Sequence, residues 1–220
     1  MPAANRPRLA ILGSGRGSNA VALLDAFRLG MLAADLVLVV SNVRAAPILD
    51  RAKERGVPTL CIPHAGVSRS SHESALSAVL SAHRVDHLLL AGYMRVLGPD
   101  FVRGFAGHIL NIHPSLLPDF PGAHAVADQW AAQVKVSGAT VHFVDEGIDT
   151  GPILLSGSLL VRGDEGVEGL ADRIRLEIEH ELYPRAVQLF LDRLQNGRPL
   201  HQGIVRKPGG LAAPTRFETE

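Results

Sequence analysis

Asn111-Ile112-His113-Pro114-Ser115-Leu116-Leu117-Pro118 closes an apolar run with an amide, an imidazole and two prolines. The residues from His108 to Ile112 read as a buried strand. Pro114 has no amide proton and disfavours helix at the residue before it, so the strand ends there in an extended or turn conformation. Asn111 and His113 stand two apart, and strand alternation projects both from one face. A carboxamide and an imidazole side by side at the carboxyl end of a strand can both donate hydrogen bonds to one developing oxyanion. A lone histidine in such a place is more often structural. What shifts the balance is a second β-branched strand running into an acid-rich loop, Thr140-Val141-His142-Phe143-Val144-Asp145-Glu146-Gly147-Ile148-Asp149-Thr150-Gly151-Pro152. Together the two segments offer Asn, His and Asp at adjacent strand ends, enough for oxyanion stabilisation and proton transfer.

Outward from these segments, short β-rich runs alternate with helical patterns, which predicts an α/β fold with a mostly parallel, twisted sheet flanked by helices. Strands are expected near Leu9–Leu12, Leu36–Ser41, Thr59–Ile62, His87–Ala91, His108–Ile112, Ala139–Val144 and Ile153–Val161. Helices are expected near Asn19–Arg28, Pro47–Arg55, Ser71–His83 and Pro99–Phe105, with Pro47 and Pro99 in first turns. Several strands are continuously apolar, as when helices cover both sheet faces. Val167, Leu170, Ile174, Ile178 and Leu182 recur at helical spacing, so a long amphipathic helix is expected there, kinked or restarted at Pro184. No repeat or linker divides the chain. A single Rossmann-like domain over 1–195 is expected, followed by a loosely packed tail over 196–220 rich in Asn, Gly and Pro.

The bulk properties narrow the function. Of 220 residues, 46% are hydrophobic and 20% charged, ordinary values for a globular chain with a full core. Lys plus Arg and Asp plus Glu both number 22, so no net field draws the chain to nucleic acid or to a membrane. An anionic ligand must be held by local groups. The single Cys61 excludes an internal disulfide, and its apolar neighbours suggest a small buried hydrophobe. No H-E-x-x-H occurs, and His108, His113, His124 and His142 lack close ligand spacing, so no metal is expected. Met1 to Pro7 lacks the apolar stretch of a secretory leader, and no apolar run is long enough to span a bilayer. A cytoplasmic protein is the expectation.

The first strand runs into Gly13-Ser14-Gly15-Arg16-Gly17-Ser18-Asn19 and then a helix. Glycines allow tight turning and close approach, and a helix N-terminus presents free amides to an anion. The third glycine of the dinucleotide fingerprint is replaced by Ser18, and the second strand ends in Ser41-Asn42-Val43-Arg44 with no acid for a ribose hydroxyl. Arg44 keeps a phosphorylated nicotinamide open, but hydroxyl and amide donors at Ser18 and Asn19 suit one phosphate monoester better.

Taken in order, these three segments resemble the folate-dependent formyltransferases. The Gly17-Ser18-Asn19 loop and Glu179-His180-x-x-Tyr183-Pro184 bring the resemblance closest to the branch that formylates glycinamide ribonucleotide in purine biosynthesis. It covers about Arg8 to Leu194. The resemblance implies a formyl transfer from 10-formyltetrahydrofolate, a co-substrate, to the ribonucleotide's primary amine. It implies Asn111, His113 and Asp149 as catalytic groups, Asp149 holding His113 charged or orienting a water. Gly17, Ser18, Asn19 and Glu179 would bind the ribonucleotide. Met94, Arg95, Val96 and Leu97, together with Asp145, Glu146, Gly147, Ile148 and Asp149, would form the folate pocket, with Val96 and Leu97 as apolar walls and Arg69 meeting the glutamyl carboxylate. His142 is near the site and as well suited to structural support. Asp119 departs from the family's basic residue after Pro118. A sugar-nucleotide formyltransferase and a reductase using a phosphorylated nicotinamide remain as alternatives, and a homodimer is left open.

Overall fold

The structure is a computed structural model and describes residues 6–197. The expected tail therefore lies almost wholly outside the described residues. Seven strands follow the order β3-β2-β1-β4-β5-β6-β7, an α/β sheet that is mostly parallel. The chain divides into two compact units at Leu110/Asn111, inside strand β5 (Ile109–His113) and not in a linker.

The first unit contains β1 (Arg8–Leu12), α1 (Ser18–Arg28), β2 (Asp35–Ser41), α2 (Pro47–Lys53), β3 (Thr59–Cys61), α3 (Arg69–Ala82), β4 (His87–Leu90) and α4 (Pro99–Gly104). β1 pairs in parallel with β2 and with β4, and β2 with β3. Leu9 to Leu12 are fully buried, which explains why β1 after Arg8 is apolar at every position instead of alternating. Pro47 and Pro99 do open helices, where a missing N–H costs nothing. Cys61 is only half-buried, against expectation, because β3 is an edge strand with one side uncovered.

The second unit contains the end of β5, then α5 (Ala125–Ala131), β6 (Val136–Phe143), β7 (Ile153–Leu160), α6 (Gly166–Arg173), a π-helical segment (Ile174–Glu179) and α7 (His180–Gln195). β6 and β7 pair antiparallel from Val136↔Leu160 to His142↔Ile153, with a register shift between Val141 and His142. Leu170, Ile174, Ile178 and Leu182 form the expected buried stripe, whereas Val167 is 37% exposed and falls outside it. Pro184 sits inside α7 without ending it. The irregularity comes earlier: the widened turn stops at His180, whose carbonyl is the one that a residue with an N–H at position 184 would have bonded. α5 was not anticipated. Its short span, Ala-Val-Ala-Asp-Gln-Trp-Ala, carries too little periodicity to read.

Candidate active site

β5 runs one residue further than expected and includes His113. Alternation puts Asn111 and His113 on one face, and both meet Asp149 from the loop between β6 and β7. His113 Nδ1 lies 3.2 Å from Asp149 Oδ2, and Asn111 Nδ2 donates to Asp149 Oδ1 at 3.4 Å. The backbone N–H of Gly122 donates to the same carboxylate at 2.9 Å. The three candidate catalytic groups therefore converge.

The other nitrogen of His113, Nε2, lies 2.8 Å from the carbonyl of Phe120. A carbonyl and a carboxylate are both acceptors, so only a ring carrying two protons satisfies both contacts at once. His113 is thus built into a buried place that suits an imidazolium. Nε2 is occupied by the Phe120 carbonyl. Phe120 and Asp149, which clamp the ring from either side, both have φ near 55°, a region costly for side chains other than glycine and hardest on a bulky one.

His142 joins the same cluster, which the sequence left undecided. Its Nδ1 donates to the Phe143 carbonyl at 2.8 Å. Its Nε2 lies 3.2 Å from Asn111 Nδ2 and 3.4 Å from Asp149 Oδ1. Neutral, that nitrogen accepts from Asn111; with a second proton it donates to Asp149. The register shift beside it is the kind of local irregularity that re-aims a side chain. Burial alone would raise the Asp149 carboxyl. The hydrogen bond from His142, the Gly122 N–H and the charges of His113 and His142 outweigh it and bring the group down to about 2. Asp149 is therefore ionised throughout the physiological range.

Two further residues hold the cluster's walls. Thr140 Oγ1 donates to Ser115 O at 2.7 Å and accepts from Leu117 N at 3.1 Å, fixing the turn after β5. A Cβ at Gly151 would collide with the Phe143 carbonyl, so the Gly-Pro that ends the acid loop is required by close backbone approach.

In the first unit the glycine loop forms as expected. Gly17 has φ 71°, and a Cβ there would stand 2.7 Å from Ile48 Cβ. Ser18 and Asn19 open α1, so the helix N-terminus follows the turn directly. Met94 and Val96 are 76% and 59% exposed, large apolar groups facing outward. Leu97, beside them, is buried. Arg95 donates to the carbonyls of His64 (3.4 Å) and Val67 (3.5 Å). Arg69 is the exposed first residue of α3.

In the second unit, Asp145 Oδ1 accepts from Gly147 N at 3.1 Å and from Thr150 Oγ1 at 2.7 Å, which shapes the acid loop locally. Glu146 and Gly147 are exposed, as is Ile148 at 59%. Glu179 is buried at the end of the π-helical segment. Among the described residues no group of three His, Cys, Asp or Glu side chains is arranged to hold a metal ion, and no helix is long and apolar enough to cross a membrane.

The family model described as Formyl transferase matches residues 7–187. The chain is 44% identical over 190 residues to the trifunctional purine biosynthetic protein adenosine-3 of Drosophila melanogaster, covering 85% of this chain and 14% of that one. It spans between 14% and 20% of the length of such trifunctional relatives. It is 36% identical over 185 residues to phosphoribosylglycinamide formyltransferase of Bacillus subtilis (strain 168), covering 84% of this chain and 94% of that one. Among solved structures, glycinamide ribonucleotide transformylase 1 from Symbiobacterium toebii is similar with a TM-score of 0.82 and 42% identity, covering 86% of this chain and 89% of that one.

Proposed function

This chain belongs to the formyl transferase family, and we propose that it moves the formyl group of 10-formyltetrahydrofolate to the primary amine of glycinamide ribonucleotide, as a cytoplasmic enzyme of purine biosynthesis. The observation that carries this reading is His113 held between the Asp149 carboxylate and the Phe120 carbonyl. A buried imidazolium is the group that a formyl oxygen needs as it becomes an oxyanion.

In this reading the amine nitrogen attacks the formyl carbon, and the C=O pair moves to oxygen. The 118–122 segment yields, so that His113 Nε2–H exchanges the Phe120 carbonyl for the oxyanion while Asp149 keeps Nδ1 protonated. Asn111 adds a second donor. Its contacts, at 3.2 and 3.4 Å, are long for hydrogen bonds, so redirecting one N–H costs little. One such donor is worth roughly 100- to 1000-fold in rate. Collapse of the intermediate breaks the bond to the folate nitrogen. That nitrogen takes up the proton lost by the amine, leaving formylated ribonucleotide and tetrahydrofolate. His142 positions Asn111 and Asp149 and takes no part in bond making.

Gly17, Ser18 and Asn19 bind the ribonucleotide phosphate through backbone and short side-chain donors, which needs no net positive charge on the chain. Glu179 contacts the ribonucleotide. Met94–Leu97 and residues 145–149 hold the folate, Val96 and Met94 supplying the apolar contact and Arg69 the charge for the glutamyl carboxylate. The test is release of tetrahydrofolate from 10-formyltetrahydrofolate by the purified protein. Release that depends on glycinamide ribonucleotide supports the reading. Release at the same rate without it would identify a hydrolase, and transfer only to an amino sugar nucleotide would move the chain to that branch.

A further inference from the structure

Ser14 lies outside every group assigned so far, yet its hydroxyl joins two segments distant in sequence. It donates to Asn42 Oδ1 at 2.6 Å and accepts the backbone N–H of Met94 at 2.7 Å. Its own N–H donates to Gly92 O at 3.0 Å, so it is tied to the 92–94 segment from both its backbone and its side chain. One residue earlier the same segments touch: a Cβ at Gly13 would stand 3.0 Å from Ala91 O. Asn42 is 2% exposed, and its carbonyl accepts both the backbone N–H (3.3 Å) and Nδ1 (3.0 Å) of His64, whose own carbonyl receives Arg95. Asn42 Nδ2 is buried without a partner, so the amide is held with its oxygen on Ser14 at the expense of its nitrogen. The Ser14 hydroxyl has its proton on Asn42 and a lone pair on Met94. It is committed to positioning.

We infer that Ser14 is the positioning residue that couples the glycine loop to the Met94–Leu97 segment, so that filling one of these subsites tightens the other. The inference rests on the proposed function, which assigns phosphate to the first segment and folate to the second. A contiguous hydrogen-bonded network that both ligands bias can carry such coupling, and here it is one hydroxyl with short bonds on either side. The coupling must be reciprocal.

The experiment is calorimetric titration of the full chain with glycinamide ribonucleotide, alone and with saturating tetrahydrofolate, which carries no formyl group and so allows no turnover. In the wild type, tetrahydrofolate should tighten ribonucleotide binding by about fivefold or more. In Ser14→Ala that ratio should fall to near one, while each ligand alone binds within about threefold of its wild-type affinity. A role confined to fold stability would weaken both ligands and leave the ratio intact. A second measurement avoids any variant: hydrogen exchange of the wild-type 92–94 amides should slow when ribonucleotide alone binds. Binding of both ligands with a wild-type ratio near one, an unchanged ratio in Ser14→Ala, or unaltered exchange would overturn the coupling and leave the proposed function standing. Failure to bind either ligand would bring down the proposed function and the coupling with it.

Discussion

Two pairs of inward-facing histidines serve opposite ends. In the first unit, His87 and His108 meet nitrogen to nitrogen at 2.9 Å, with ring centroids 4.8 Å apart. One proton lies between them, and a second would set two N–H donors against each other. Burial, and then the neighbouring His108, push His87 down to about 4, Asp86 opposing weakly, so the ring is neutral at ordinary pH. In the second unit, His113 and His142 flank the Asp149 carboxylate, and His113 has an acceptor at each nitrogen. The residue type is the same and the burial comparable for His87 and His113, both 5% exposed. What differs is the partner. At His87 burial and then a second imidazole favour the neutral ring, whereas at His113 a carboxylate and a carbonyl set an acceptor at each nitrogen.

The comparison breaks most visibly at His113. His113→Ala should lower the formyl-transfer rate by roughly 1000-fold, the scale of a lost proton-holding group, while ribonucleotide affinity stays close to wild type in a direct binding assay. A rate near wild type would put His113 in the same structural class as His87.

The next effect is on stability. A histidine whose folded-state pKa is depressed binds its proton more readily when unfolded. The stability it contributes is intact above about 6.5 and is lost as pH falls toward about 4. Urea unfolding across that window should show a decline on the order of 3 kcal/mol from this group, flattened in His87→Gln, which keeps a hydrogen-bonding side chain that does not titrate. Asp149 acts in a lower window: its folded pKa is below the ordinary carboxylate value, so its contribution is present above about 4 and disappears toward about 2. The two declines are thus separable by pH.

The smallest effect comes from a residue in neither pair. Asn19→Ala should weaken glycinamide ribonucleotide by about tenfold, the scale of one hydrogen bond to a charged group, with little change in turnover at saturation. Unchanged affinity would move the phosphate away from the start of α1.

Much of this was legible before any coordinates. Alternating apolar runs and helical patterns announced the α/β sheet because strands buried on both faces must be apolar throughout. Asn111 and His113 could be read as neighbours because strand alternation has a fixed period. Asp149 came from the resemblance, and its meeting with His113 depends on a loop whose course no periodicity encodes. His142 was visible but undecided, since its role follows from a register shift. Phe120 was missed because it contributes a backbone carbonyl, which any residue carries, and the nearest clue was the Pro-x-x-Pro-Gly run from Pro118 to Gly122. Val167 stands at helical spacing with the buried stripe, yet it is 37% exposed. Position in a pattern says which face a side chain takes, and only packing says whether that face is covered.

If Asp149 works by keeping His113 charged, the two residues act as one unit, and losses within a unit do not multiply. The transfer rate of the double variant His113→Ala/Asp149→Asn, set beside the two single variants, tests this directly. The double variant should be no slower than the slower single, with both singles down by roughly 1000-fold. A double variant whose loss is the product of the two single losses would mean that the imidazole and the carboxylate act independently.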